Sequence, residues 1–297
     1  MDTQAELAAH FDHSRKRLRN IAYRMLGSAD EADDATQEAW LRASSAYTSA
    51  VGNVQAWLTT IVARICLDML RSRQRRREDY TDLGELDQLA PPSDVADPED
   101  EAVLADSVGL ALLVVLDTLT PAERVAFVLH DLFAVPFGEI AGIVERTPSA
   151  AKKLASRARQ RVHGNTGVPP ADFARRRKVV EAFLAASRAG DLEALMAVLA
   201  PDVVRRGDRV ALPAQEELEV RGARRIAEET LTNSGRAHFA EPILVGGELG
   251  IVVAPRGRLR LVLLLGIDDD RITSVEVIGE PDRLRELDLA LPGHPDS

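Results

Sequence analysis

The sequence predicts a multidomain chain: two all-α helical domains, the second ending in a helix-turn-helix, followed by one α+β domain. Three observations predict it. Apolar residues keep the i, i+3, i+4 rhythm of helices through both N-terminal parts. Two stretches without that rhythm, around Pro91-Pro92 and around Pro169-Pro170, divide the 297 residues. Beyond the second stretch, helical patterning gives way to apolar strands, and helices followed by a run of strands indicate an α+β domain.

The first domain is expected at 1–77. Phe11, Leu18, Ile21, Ala22, Met25 and Leu26 fall on one helical face, and Gly27-Ser28 supplies a stop followed by a cap. A second helix is expected over Asp30–Ala43, its opening acids suited to the positive end of the helix dipole. Gly52-Asn53 breaks the chain, and a third helix runs from Val54 into Arg71-Ser72-Arg73-Gln74-Arg75-Arg76-Arg77. Residues 78–106 read as an exposed linker. Every charged side chain from Glu78 to Asp106 is acidic, and this stretch accounts for the whole formal net charge of -10.

The second helical domain is expected at 107–163. Periodicity returns over Val103–Leu119, and Thr120-Pro121-Ala122-Glu123 then gives a cap, an N1 proline and a capping-box acid. A helix to Phe133 follows, then a short helix Phe137–Val144, and Thr147-Pro148 opens a last helix, Ser149–Val162. Short helix, tight turn and third helix make the helix-turn-helix. Glu145 stands where the turn commonly carries glycine, so it must accept that backbone geometry. Residues 164–173 form a second linker. The third domain, 174–290, has expected helices at Arg175–Arg188, Asp191–Leu199 and Ala223–Leu231, with an antiparallel meander of Ile243–Val253, Leu259–Ile267 and Arg271–Ile278 turning at Asp268-Asp269-Asp270.

Composition excludes several classes. The single cysteine, Cys66, rules out a disulfide framework within the chain and suits a reducing cytoplasm. The longest apolar runs fall far short of the ~20 residues that span a bilayer, so no membrane partner is expected. A net charge of -10 argues against a free-standing general DNA binder. Two basic patches nonetheless flank the acidic stretch: the arginine run before it, and Lys152–Arg161 after it.

Ala22-Tyr23-Arg24-Met25-Leu26-Gly27-Ser28, followed by Asp33-Asp34-Ala35-Thr36-Gln37-Glu38-Ala39-Trp40-Leu41-Arg42, resembles the first conserved domain of extracytoplasmic-function (ECF) sigma factors of RNA polymerase. Leu116-Asp117-Thr118-Leu119-Thr120-Pro121-Ala122-Glu123-Arg124, with the helix-turn-helix behind it, resembles the second. Ala189-Gly190-Asp191-Leu192-Glu193-Ala194-Leu195 and Leu199-Ala200-Pro201-Asp202-Val203-Val204 resemble the cone-shaped SnoaL-like fold, which one subgroup of these sigma factors carries at the C-terminus. Where that subgroup has an Asp-Gly-Gly-Gly-Lys motif, this chain has Arg205-Arg206-Gly207-Asp208-Arg209, and the subgroup's Trp-Leu-Pro-Glu-Pro linker motif is reduced to Leu89-Ala90-Pro91-Pro92.

The resemblance implies partners and faces. Core RNA polymerase would be met by the outward side of the second helix, through Asp34, Gln37 and Glu38. Thr36, on its inner side, is expected to bond back to the preceding turn. Promoter DNA would be met by Arg64, Arg71, Arg73, Arg75, Arg76 and Arg77, because a planar guanidinium binds two phosphate oxygens and stays charged. The Ser149–Val162 helix would present Ser149, Lys152, Lys153, Ser156, Arg157 and Arg159 to the major groove. Trp40, Trp57 and Cys66 are read as core. The acidic linker is read either as a mimic of nucleic acid within the polymerase or as a soluble tether. In the third domain His238, Glu276 and Asp208 are the candidate cavity groups, but no spacing pairs them for acid–base work. Asp268-Asp269-Asp270 reads as a polar turn rather than a metal cluster. No catalytic residue, metal or cofactor is assigned, and the domain is expected to answer to a small-molecule or protein regulator. The alternative is a SnoaL-like enzyme of isomerase or cyclase type fused to a DNA-binding module.

Overall fold

The computed structural model describes residues 3–46, 51–81, 109–164, 166, 168–212 and 216–293. The acidic stretch from 82 to 106 lies outside the described residues. Packing divides the rest into two units, one holding 3–81 with 119–159, the other 109–118 with 160–293.

The first unit opens with α1 (Thr3–Leu26), α2 (Ala29–Ala46) and α3 (Val54–Thr81). Leu18, Ile21 and Met25 of α1, Ala32, Ala35 and Ala39 of α2, and Leu58, Val62 and Cys66 of α3 are fully or almost fully buried. The alanine stripe lets α2 lie close to its neighbours. Asn53 caps α3 by accepting from the Ala56 amide at 3.0 Å. Thr36 donates to the Ala32 carbonyl at 2.7 Å, the back-bond its sequence position implies. Trp40 packs its ring 5.0 Å from that of Phe11, an aromatic pairing that adds about 0.5–1.5 kcal/mol beyond area burial.

Three further helical segments complete this unit. The helix predicted to reach Phe133 keeps α geometry only over α5 (Pro121–Phe127) and widens to a π turn at Val128–Leu132. Its start carries the full capping box, with the Glu123 amide donating to Thr120 Oγ1 and the Thr120 amide donating to Glu123 Oε2. Then come α6 (Phe137–Val144) and α7 (Pro148–Val162). Glu145 closes α6 at φ 56°, ψ 48°, the left-handed geometry the sequence required of it. Phe133 lies under two guanidinium groups from α1, Arg17 at 5.8 Å and Arg24 at 5.5 Å from the ring centroid.

The second unit begins with α4 (Leu110–Asp117), which the sequence had joined to the second helical domain. Its remaining helices are α8 (Pro170–Ala189), α9 (Leu192–Val198), α10 (Ala223–Thr232) and α11 (Pro281–Glu286). The predicted linker 164–173 is thus shorter than expected, because Pro170 already stands at the first position of α8, where its missing amide costs nothing. The strands are β1 (Leu199–Gly207), β2 (Glu219–Arg221), β3 (Ala240–Val245), β4 (Glu248–Val253), β5 (Leu261–Asp268), β6 (Arg271–Ile278) and β7 (Leu289–Ala290), in the sheet order β2-β1-β6-β5-β4-β3-β7.

Two expectations are corrected here. Ile243–Val253 is a hairpin rather than one strand, turned at Gly246-Gly247, whose φ values of 59° and 86° suit glycine. The sheet is also not a pure meander: β1 pairs with β6 in parallel, Arg205 opposite Val275. The α+β class itself stands, with α8, α9 and α10 packed against the sheet around Phe183, Leu195, Leu199, Ile226 and Ile251.

Candidate nucleic-acid and polymerase surfaces

On α2 the buried alanines fix which side faces out. Asp34 and Gln37 are exposed, and Glu38 is partly exposed and paired with Arg42 at 2.8 Å one turn on. Leu41, four residues after Gln37 and three after Glu38, is 55% exposed on the same face. Sequence reading missed it, although its place outside the alanine stripe was the available signal. Asp33 is held by a two-pronged bond from Arg19, with Nε at 2.6 Å and Nη2 at 3.0 Å.

The predicted arginines of α3 differ in exposure and in partners. Arg75 and Arg76 are exposed and Arg71 is partly exposed. Arg73 is partly buried, donating to the Leu26 carbonyl at 2.9 Å and pairing with Glu31. Arg64 donates through Nη2 to the Gly142 carbonyl at 3.0 Å, a bond within the first unit. The Arg77 side chain lies outside the described residues. Trp57 is half-buried, and Cys66 is fully buried, its thiol pushed up to about 12 by burial against the opposing pull of Arg124.

On α7, Ala151, Ala155, Ala158 and Val162 are buried, which turns the opposite face outward. Ser149, Lys152, Lys153, Ser156, Arg157 and Arg159 are all exposed there. Arg159 differs from the others in pairing with Asp131, Nε to Oδ1 at 2.7 Å. This gives hydroxyls and exposed cations near the helix start and an ion-paired arginine near its end.

In the second unit the sequence candidates prove structural. Asp208 staples a loop: Oδ1 accepts from the Val210 and Ala211 amides at 3.1 and 2.8 Å, and Oδ2 from Gly279 and Glu280 at 2.8 and 3.0 Å. Burial resists its ionisation, but the amides of Gly279, Ala211, Glu280 and Val210 outweigh that and hold its carboxyl below the usual range. Glu276 pairs with Arg283 at 2.6 Å, and His238 is exposed. None of the three lines the cavity between sheet and helices, whose ionic groups are instead Arg205, Glu216, Glu229 and Arg236. Among the described residues no group of His, Cys, Asp and Glu could hold a metal ion, and no helix is long and apolar enough to cross a membrane.

Residues 10–76 match the Sigma-70 region 2 family and residues 109–162 the Sigma-70 region 4 family, the two sections that carry the surfaces above. The class is that of a sigma factor. The chain is 35% identical over 288 residues to the ECF RNA polymerase sigma factor SigJ of Mycobacterium tuberculosis, covering 93% of this chain and 92% of that protein. It is 32% identical to the probable ECF RNA polymerase sigma factor SigI of M. tuberculosis over 99% of this chain and the whole of that one. The crystal structure of M. tuberculosis SigJ aligns over 93% of this chain and 98% of its own at 31% identity, with a TM-score of 0.46. The chain belongs to the ECF RNA polymerase sigma factors, and the reading as an enzyme fused to a DNA-binding module is not favoured.

Proposed function

We propose that this sigma factor docks on core RNA polymerase through Asp34, Gln37 and Glu38, with Leu41 one turn further along the same face. On this reading it meets promoter DNA through the α3 arginines and the outward face of α7. The observation that carries it is the division of each helix into a buried small-residue stripe and a face of one chemistry: acidic with one apolar residue on α2, cationic and hydroxylic on α7. Arg64, Arg75 and Arg76 are the exposed phosphate contacts of α3 and Arg71 is partly exposed; Arg64 keeps N–H groups for a phosphate beside the one that it donates to the Gly142 carbonyl. In a reconstituted run-off assay the chain with core polymerase should transcribe from its promoters. The doubly reversed variant D34K/E38K should keep its helical content and lose co-purification with the polymerase. Undiminished binding by that variant would end the docking assignment.

The C-terminal domain is assigned a modulating role in the same proposal, open to a small-molecule or protein regulator. Within the second unit, Glu241 of β3 accepts from the first two amides of α4, Leu110 N to Oε1 and Ala111 N to Oε2, both at 2.8 Å. Leu291 donates to the Val162 carbonyl, the last residue of α7, at 2.7 Å. The third domain thus holds both ends of the region 4 segment, which supports direct mechanical influence over it.

A further inference from the structure

Arg159 lies in the last turn of α7, at the border between its buried stripe and its exposed face. From there it reaches the π turn at Val128–Leu132, where Asp131 Oδ1 accepts from Nε at 2.7 Å and from Nη2 at 2.5 Å. The Asp131 side chain is 17% exposed and that of Arg159 48%. A guanidinium carries five N–H groups, so three stay unused, both on Nη1 and one on Nη2. They form the edge turned away from the carboxylate, a two-nitrogen edge of the kind that matches two oxygens of a phosphate.

The backbone that carries Asp131 is itself tied down. The Val135 amide donates to the Leu129 carbonyl at 2.9 Å and the Ala134 amide to the His130 carbonyl at 3.0 Å. His130 stacks on Phe137 with ring centroids 3.8 Å apart, and its Nδ1 lies 3.1 Å from the Val135 carbonyl. Among the described residues, Lys153 and Arg157 of the same helix have no comparable partner. A carboxylate beside a helix that meets DNA repels phosphate, so charge alone makes Asp131 a cost to binding. Orientation works the other way: ordering a long side chain on binding costs free energy, and a guanidinium already ordered avoids that cost.

We propose that Asp131 is a positioning residue for DNA binding: it holds the Arg159 guanidinium so that the Nη1–Nη2 edge clamps one phosphate of the promoter duplex with two bonds. Asp131 acts through Arg159 and lies outside the DNA-facing set. The proposal rests on the reading of the outward face of α7 as a DNA surface and adds to it the acid that orders one of its cations.

The full chain with core polymerase, bound to a duplex carrying one of its promoters, tests this by the sign of an effect. Binding is measured at a temperature where circular dichroism shows every variant fully folded. Arg159→Ala should weaken it about tenfold and flatten the salt dependence by about one charge. Asp131→Ala should weaken it about two- to tenfold, the cost of ordering one long side chain, although it removes a negative charge. That loss should persist at the highest salt the wild-type complex withstands, where long-range repulsion is screened. Asp131→Asn, which keeps an acceptor oxygen without the charge, should recover most of the loss, and in the Arg159→Ala background Asp131→Ala should cost nothing further. Tighter binding by Asp131→Ala would mean that the carboxylate only neutralises Arg159, and unchanged binding that it only ties α7 to the π turn. A further loss in the Arg159→Ala background would mean that it acts through another group. Each of these outcomes, or no recovery with asparagine, overturns the proposal. Wild-type binding by Arg159→Ala while Lys153→Ala is impaired also overturns it and leaves the α7 reading standing; wild-type binding by both removes that reading as well.

Discussion

At the scale of single residues, ionisable groups outside the functional faces give direct checks. Asp208 accepts four backbone amides, two on each oxygen, so an asparagine there must turn an NH₂ toward two donors. Asp208→Asn should cost about 1–3 kcal/mol at pH 7 in urea denaturation. The folded carboxyl titrates below its unfolded value, so its stabilisation is fully present above the unfolded pKa near ~4 and is lost as pH falls through the folded value. The gap between wild type and variant should accordingly narrow on acidification. Cys66 is protonated far above neutral pH and buried. It should resist alkylation at pH 8 in the native chain and react on unfolding, followed by mass spectrometry.

At the scale of elements, α7 separates free cations from an anchored one. Lys153→Ala and Arg157→Ala should each lower promoter-specific transcription; a residue contacting phosphate loses binding alike on all promoters and flattens the salt dependence by about one charge. If Lys153 meets a base edge, discrimination at one position should relax by about 1–3 kcal/mol instead. Glu145→Gly removes a left-handed strain and should stabilise the helix-turn-helix by about 1 kcal/mol in thermal or chemical melts. Local signals made these elements legible in the sequence: the Thr120–Glu123 box, the Gly27 stop and the alanine stripes each act over one or two turns. What stayed hidden depends on partners far along the chain. Periodicity does not record the change of hydrogen-bond register at Val128–Leu132, and the apolar run across Gly246-Gly247 masks a hairpin. The parallel pairing of β1 with β6 joins residues some seventy apart, and Arg205 meets Glu229 from a different element. For the same reason the candidates that the sequence offers for the cavity, Asp208, Glu276 and His238, lie outside it, while the outward faces of α2 and α7 follow directly from helical spacing.

At the scale of the whole molecule, charge is segregated along the chain, with the acidic stretch set between two basic ones. Deleting residues 82–101 should raise non-specific retention of the chain on DNA at low salt, and the difference should fade as the screening length shrinks toward the size of a side chain. Equal retention with and without the stretch would leave it as a tether. Truncation after Asn165 should change promoter-specific output severalfold at equal protein level. That experiment carries a second effect, which follows from the grip of Glu241 on α4. Two charge-assisted bonds at a helix start are of the kind whose loss costs about 0.5–2 kcal/mol, and an eight-residue helix has little stability of its own to absorb that loss. The border of cooperative opening therefore does not coincide with the border of region 4. In native-state hydrogen exchange the amides of 113–117 should lose protection together with β3 and β4, while those of 121–127 open with α1–α3. A sigma factor cut free of its third domain should therefore have a frayed first region 4 helix, and Glu241→Gln in the full-length protein, which keeps one acceptor and the buried face of α4, should lower the protection of 113–117 by no more than about 0.5–2 kcal/mol.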